Sequence, residues 1–292
     1  MASLQFKQVD VFTERPFFGN PVAVVLGADG VDDAQMQRIA SWTNLSETTF
    51  VLRPSSDAAD YRLRIFTPAG ELPFAGHPTI GSAHAVLESG FVAPDSLSLR
   101  QECAVGVLAL TVEGAGSDRQ IFVRAPATKI VRDCTAIADT ISAALGAPVT
   151  ANPAPMAIDV GPVWLVAYVE ETESVRRMQP DMAAITQLSR DLGLQGITVF
   201  SLEPEGDAAA HVRTFAPIAG TPEDPVCGSA NATIAAYLAE TGLLEETGST
   251  YVVSQGTELG RDGRIFVRVE EGGRWIAFGG CAVTAIDGRI EV

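Results

Sequence analysis

The sequence predicts an α+β protein of two similar lobes related by a pseudo-twofold axis, each a mixed β-sheet wrapped around a central helix. Three observations predict this fold. The chain repeats its motifs in order, each half contains short apolar strand patterns, and each half has one helical segment of small and apolar residues. A helix that is apolar on every side is expected in the interior. The 292 residues, 47% of them hydrophobic, suffice for two domains of ordinary size.

The repeat consists of motif pairs that keep their order along the chain. Residues 64–68 (RIFTP) match residues 213–217 (RTFAP), and residues 75–78 (AGHP) match residues 227–230 (CGSA). Coincidence explains a single match better than it explains a collinear series. Two such lobes are expected to form a cleft suited to a ligand. The N-terminal lobe is expected to cover residues 1–120 and the C-terminal lobe residues 121–274. A C-terminal strand near 275–292 is a candidate to complete the sheet of the first lobe.

Each half has its own predicted strands and one buried helix. Alternating or β-branched stretches predict first-lobe strands at 6–11, 22–26, 61–66, 107–112 and 121–124. The buried helices are predicted over 78–87 and 228–240. Pro78 is compatible with the first turn of a helix, because backbone N–H groups in that turn have no hydrogen-bond partner within the helix.

The charge balance limits the partners. Twenty Lys and Arg against 36 Asp and Glu give a net charge of −16, so nucleic acid and anionic membrane are not expected as partners. A carboxylate ligand would need local donors. The N-terminus shows no signal-peptide pattern and no apolar run spans a membrane, which predicts a cytoplasmic protein. The four cysteines lack ligand spacing, so neither a metal site nor a disulfide framework is expected.

The two buried helices each begin at a glycine-containing turn, near Gly76-His77 and Gly228-Ser229. The first N–H groups of a helix have no partner within it, and the helix dipole favours negative charge there. These two helix starts are therefore candidate sites for a substrate carboxylate. The alternative is that the turns only start helices.

The repeat is asymmetric where chemistry is expected. Glu47 aligns with Ile197, and Cys227 aligns with Ala75, so the chain has no matched pair of thiols. Asp224, in a short insertion of the second half, supplies a further carboxylate. Glu47 precedes an apolar strand, where desolvation would raise its pKa toward the range of a general acid/base. The alternative for Glu47 is a solvated turn residue.

Three further polar residues have two interpretations each. His77 could orient a substrate hydroxyl or make a structural hydrogen bond at the helix start. Cys227 could be a nucleophile or base, because a helix start lowers the pKa of a thiol, or a small buried residue. Ser229 could bind a carboxylate or cap its helix.

Five motifs resemble those of the PhzF-like phenazine-biosynthesis isomerases, and they cover most of the chain in the family's order. They lie at 10–12 (DVF), 19–24 (GNPVAV), 44–48 (NLSET), 74–79 (FAGHPT) and 224–231 (DPVCGSAN). The resemblance implies the two-lobed fold of diaminopimelate epimerase and proline racemase. It also implies an enzyme that uses no metal or organic cofactor and forms a homodimer.

The resemblance implies roles for individual residues. The family's catalytic glutamate, histidine and aspartate fall on Glu47, His77 and Asp224. Substrate-binding positions fall on Asn20, Gly76, His77, Gly228 and Ser229. Cys227 departs from the phenazine enzyme's pattern, which leaves the substrate open.

Three hypotheses about function follow. The first is an isomerase that moves a proton on a small carboxylate, as trans-2,3-dihydro-3-hydroxyanthranilate isomerase does. The second is an amino-acid or hydroxy-acid epimerase that uses Glu47 with Cys227 or Asp224. The third is a binding protein without turnover. Solvent deuterium incorporation and stereochemical inversion distinguish the three.

Overall fold

The computed structural model describes residues 2–203 and 206–292. The chain divides into two compact units, one made of Met1–Arg124 with Gly279–Val292 and the other of Ala125–Phe278. No helix in the described residues is long and apolar enough to cross a membrane.

The first unit is a mixed sheet with two α-helices. Antiparallel pairs dominate, while β2 with β3 and β4 with β6 are parallel, as expected for strands joined through a helix. The elements are β1 (Ser3–Val11), β2 (Asn20–Leu26), α1 (Asp33–Thr43), β3 (Thr48–Leu52), β4 (Tyr61–Phe66), β5 (Glu71–Leu72), α2 (Gly76–Glu88), β6 (Ser98–Cys103), β7 (Gly106–Glu113) and β8 (Gln120–Arg124).

The central helix of this unit is α2, in which every residue from His77 to Leu87 is buried. A side chain at Gly81 would place its Cβ 2.4 Å from Val22 Cγ1 and 2.9 Å from Val11 Cγ2. The absence of a side chain there lets α2 lie directly on β1 and β2. By contrast, α1 is a surface helix, and it begins with a capping box formed by Asp32 and Gln35.

The second unit has the same kinds of pairing. Strands β11 and β12 are parallel across two helices, and β13 and β15 are parallel across α6. Within α6, Gly228 and the run from Ala230 to Leu238 are buried. The elements are β9 (Lys129–Asp133), α3 (Ala138–Leu145), β10 (Met156–Asp159), β11 (Val163–Tyr168), α4 (Thr172–Arg177), α5 (Met182–Leu192), β12 (Gly196–Leu202), β13 (Ala210–Ala216), β14 (Thr221–Asp224), α6 (Gly228–Thr241), α7 (Leu244–Thr247), β15 (Thr250–Gln255) and β16 (Gly263–Glu270).

The last strand, β17 (Trp275–Glu291), begins in the second unit and ends in the first. Its residues from Ala282 to Glu291 pair antiparallel with β1. Lys7 on β1 is buried, and its Nζ lies 2.6 Å from Asp287 on β17 and 2.9 Å from Glu88 at the end of α2. The two carboxylates compensate the buried ammonium group, and together they hold its pKa above the usual value despite the opposing effect of burial.

One ion pair recurs in both units. Arg64 on β4 and Arg213 on β13 each donate from Nε and Nη2 to the glutamate of the following strand. The distances are 2.7 and 2.7 Å to Glu71, and 2.8 and 2.9 Å to Glu223. Each guanidinium also lies 5.1 Å from the ring centroid of the phenylalanine two positions further on. The motif match at residues 64–68 and 213–217 thus corresponds to matching local contacts.

The predicted strands and both predicted buried helices are present, with one difference at the helix starts. Ala75 and Cys227 are the N-cap residues, so the first helix begins at Gly76, before the predicted start at residue 78, and the second begins at Gly228 as predicted. Neither N-cap makes a side-chain capping hydrogen bond. The N–H groups at both starts are therefore not capped by these side chains.

Candidate active site

Glu47 lies where the chain passes from α1 into β3. Asn44 ends α1 in the left-handed conformation, which turns the chain back toward the sheet. The carbonyl of Glu47 then accepts a hydrogen bond from the Ala23 N–H on the parallel strand β2, at 3.4 Å. Asn20 is buried at the start of that same strand. Two predicted site residues are thus placed by the starts of neighbouring strands.

Glu47 and His77 are brought together in the first unit. Glu47 Oε2 lies 3.4 Å from His77 Nε2, and only 15% and 9% of these side chains are exposed. Burial raises the pKa of Glu47, and a hydrogen bond with Ser46 offsets this only in part. A carboxyl group in this setting can hold a proton at a pH where a solvated one would have lost it.

Buried polar side chains hold the start of α2 in place through hydrogen bonds. Thr79 Oγ1 accepts a hydrogen bond from Gln101 Nε2 at 3.2 Å, and Gln101 Oε1 accepts one from the Tyr61 hydroxyl at 3.0 Å. These three side chains are fully buried. They fix the helix start that carries Gly76 and His77.

The start of α6 is anchored by a single glutamine. Gln255 Oε1 accepts hydrogen bonds from the Cys227 N–H at 3.2 Å and from Asn231 Nδ2 at 2.9 Å. Its Nε2 donates to the carbonyl of Asp224 at 2.9 Å. Gln255 is only 1% exposed. It ties the predicted catalytic aspartate to the helix start that carries Gly228 and Ser229.

Ser229 has two close side-chain neighbours in the second unit. Trp164 Nε1 donates to Ser229 Oγ at 3.1 Å, and Cys227 Sγ lies 3.6 Å from the same oxygen. Burial, reinforced by the charge of Asp224, raises the pKa of Cys227 well above its usual value. A thiol with a raised pKa keeps its proton at neutral pH, which favours the interpretation of Cys227 as a small buried residue over that of a thiolate base or nucleophile.

The predicted residues fall into two groups, each within its own unit. The first unit carries Asn20, Glu47, Gly76 and His77, and the second carries Asp224, Gly228 and Ser229. Among the described residues, no cluster of three or more His, Cys, Asp and Glu side chains has the arrangement of a metal site. Their catalytic and binding roles stay predictions.

The other two histidines belong to structural networks. Burial lowers the pKa of His84 to about 4, which makes it neutral near pH 7. His211 is fully buried, with Nδ1 3.0 Å from Ser254 Oγ and Nε2 2.9 Å from Glu258 Oε1. These contacts tie the turn after β15 to β13.

Sequence reasoning missed Gln101, Gln255 and Trp164. Gln101 and Gln255 stand at or near the ends of strands, and Trp164 lies in an apolar strand. Gln101 stands between charged residues and gives no local signal, whereas Gln255 follows a largely apolar strand, where a glutamine indicates a buried hydrogen-bonding role. Its partners depend on contacts between residues far apart in sequence, so the signal alone does not identify them.

Over residues 9–288 the chain matches the PhzC-PhzF family, described as phenazine biosynthesis-like proteins. The Schizosaccharomyces pombe protein named Antisense-enhancing sequence 1 is 40% identical over 296 residues, covering 99% of both chains. The trans-2,3-dihydro-3-hydroxyanthranilate isomerase of Pseudomonas chlororaphis is 33% identical over 263 residues, covering 90% of this chain and 89% of that one.

Solved structures give the same picture at the level of the fold. A Bacillus anthracis protein of the PhzF family superposes with a TM-score of 0.86 at 28% identity, covering both chains completely. A hydroxyproline epimerase from Agrobacterium vitis superposes with a TM-score of 0.66 at 15% identity, covering 99% of this chain and 92% of that one. The second similarity, at this identity, shows a shared fold alone.

Proposed function

This chain belongs to the PhzC-PhzF family and is an isomerase, and on that premise we propose that it moves a proton on a small cyclic carboxylate through Glu47. The relatives named trans-2,3-dihydro-3-hydroxyanthranilate isomerase support a substrate of the dihydroanthranilate type. An origin of the two units by internal duplication is part of the same proposal. The Arg64 and Arg213 ion pairs support the duplication.

The observation that carries the proposal is the environment of Glu47. Its carboxyl group is desolvated, its pKa is raised, and its Oε2 lies 3.4 Å from the imidazole of His77. A group that must both remove and return a proton works best when its pKa lies near the working pH. The aligned position in the second unit, Ile197, has no ionisable group, which favours one proton carrier over two.

The proposed reaction is a proton shift without redox change or group transfer. The Glu47 carboxylate removes a proton from a C–H of the substrate, and the electron pair enters the neighbouring π system. Protonated Glu47 then returns the proton to a different carbon, and the double bond moves. Backbone N–H donors at the helix starts stabilise the negative charge that the substrate carries after proton removal and before proton return. The expectations of a cofactor-free enzyme and of a homodimer stay predictions.

Incubation with trans-2,3-dihydro-3-hydroxyanthranilate in D₂O tests the proposed function. We expect isomerisation with partial deuterium incorporation at the carbon that receives the proton, seen by NMR and mass spectrometry. Inversion at a single carbon without movement of the double bond would indicate an epimerase instead. An unchanged substrate that gains no deuterium would contradict the proposal for this class of substrate.

A further inference from the structure

The hydroxyl group of Ser229 lies in an unusual hydrogen-bonding environment. Its neighbour Trp164 is almost completely buried on β11, and its indole N–H points at Ser229 Oγ from 3.1 Å. An indole nitrogen can only donate a hydrogen bond. Ser229 Oγ must therefore be the acceptor in this contact, which occupies one of its two lone pairs.

The thiol of Cys227 also lies near Ser229, with its Sγ 3.6 Å from Ser229 Oγ, and either atom could donate in this contact. The Asp224 carboxylate is a competing acceptor for the thiol proton, so the thiol does not fix the direction of this contact. The indole N–H of Trp164 does fix one, because Ser229 Oγ accepts from it. The O–H of Ser229 is left to donate.

We propose that Trp164 holds Ser229 in the orientation that donates its hydroxyl proton to the substrate carboxylate. This inference rests on the proposed function and adds one positioning residue to it. A carboxylate is the matching ligand because it accepts hydrogen bonds and cannot donate them when ionised.

Close packing against β12 holds the indole ring of Trp164 in this position. Gly196 on β12 lies so close to the indole that a Cβ there would be 2.9 Å from Trp164 Cζ3 and 2.1 Å from the carbonyl oxygen of Phe215. The absence of a side chain at Gly196 leaves space for the indole beside the strand. The ring is thereby packed in place, and its N–H is fixed before any ligand arrives.

A double-mutant cycle on ligand binding tests the inference. The probe is anthranilate, a stable aromatic carboxylate, and its dissociation constant is measured by calorimetry for the wild type, Trp164→Phe, Ser229→Ala and the double variant. Each single variant is expected to weaken binding about 5- to 20-fold, because a hydrogen bond to a charged group is lost or misdirected. In the Ser229→Ala background, Trp164→Phe should have no further effect.

A purely structural role of Trp164 would weaken binding by the same factor with and without Ser229, and that result would overturn the inference. Wild-type protein that does not bind anthranilate would overturn it too. Trp42→Phe, at a tryptophan that is 79% exposed, is the matched control and should leave affinity unchanged.

Two safeguards keep the test decisive. If Trp164→Phe does not fold, Ser229→Ala alone decides, because full anthranilate affinity in that variant contradicts the inference. Binding of anthranilate involves no proton transfer, so the result is independent of turnover. A failure of the deuterium experiment combined with a non-additive cycle would reject the reaction and keep the donor role of Ser229.

Discussion

At the scale of single residues, the site depends on one desolvated carboxyl group. The sequence predicts the raised pKa of Glu47, because the residue stands before an apolar strand, and the structure gives the same direction with burial as its cause. The 3.4 Å approach to His77 could not be predicted. It depends on how the start of α2 meets the start of β3, and residues 30 positions apart carry no local signal for such a contact.

The raised pKa of Glu47 predicts the pH dependence of the reaction. Proton removal needs the carboxylate form, so kcat/KM should rise with pH through the Glu47 pKa and reach its plateau above it. Because burial raises that pKa, the midpoint of the acidic limb should lie above about 4.3, the usual value for glutamate. The pH profile of kcat/KM in His77→Asn distinguishes Glu47 from His77. An acidic limb that persists in this variant belongs to Glu47. A midpoint at or below the usual value would contradict the account.

At the scale of elements, the two buried helices are the part of the fold that the sequence predicts best. A helix without a polar face is expected in the protein interior, and both helices are buried along most of their length. Their exact starts are less predictable. A glycine suggests a turn, but Gly76 and Gly228 are already helical, and at Gly228 close packing against Phe278 requires a residue without a side chain.

Gly228→Ala tests this close packing. A Cβ at Gly228 would lie 2.4 Å from Phe278 Cε2, and Phe278 is fully buried, so the ring has little freedom to move. We expect destabilisation of about 1–3 kcal/mol, as for other overpacked interiors, together with weaker anthranilate binding. Urea unfolding measures the first effect. Gly30→Ala is the control, since a Cβ there meets nothing within 4 Å, and equal stability of the two variants would contradict the packing argument.

At the scale of the whole molecule, the C-terminal strand β17 pairs with the N-terminal strand β1. Residues from Ala282 to Glu291 pair with β1 along its full length, and Asp287 neutralises part of the charge on buried Lys7. The sequence predicts a C-terminal strand near 275–292 that could complete the first lobe. The register with β1 could not be predicted, because pairing over a separation this long leaves no trace in either segment alone.

A chain that ends at residue 278 tests the contribution of this strand. It leaves β1 without one neighbour and Lys7 without Asp287, so we expect a protein that is insoluble or unfolds at least about 10 °C lower, given about 2–4 °C per kcal/mol at this size. Thermal unfolding followed by circular dichroism measures it. A short Gly-Ser tail after Val292 is the control for changes at this end. An unfolding midpoint equal to that of the full chain would show that the strand is dispensable.

The most direct test of the central claim is solvent deuterium exchange by Glu47→Gln, which keeps the shape of the side chain and removes its base. With trans-2,3-dihydro-3-hydroxyanthranilate in D₂O, the account predicts exchange and isomerisation reduced by about 10²–10⁴-fold, as for loss of a general acid/base, with anthranilate affinity retained. Cys227→Ala, measured alongside, should lose no more than a few-fold. Near-normal exchange in Glu47→Gln together with an inactive Cys227→Ala would contradict the account and identify a thiol enzyme instead.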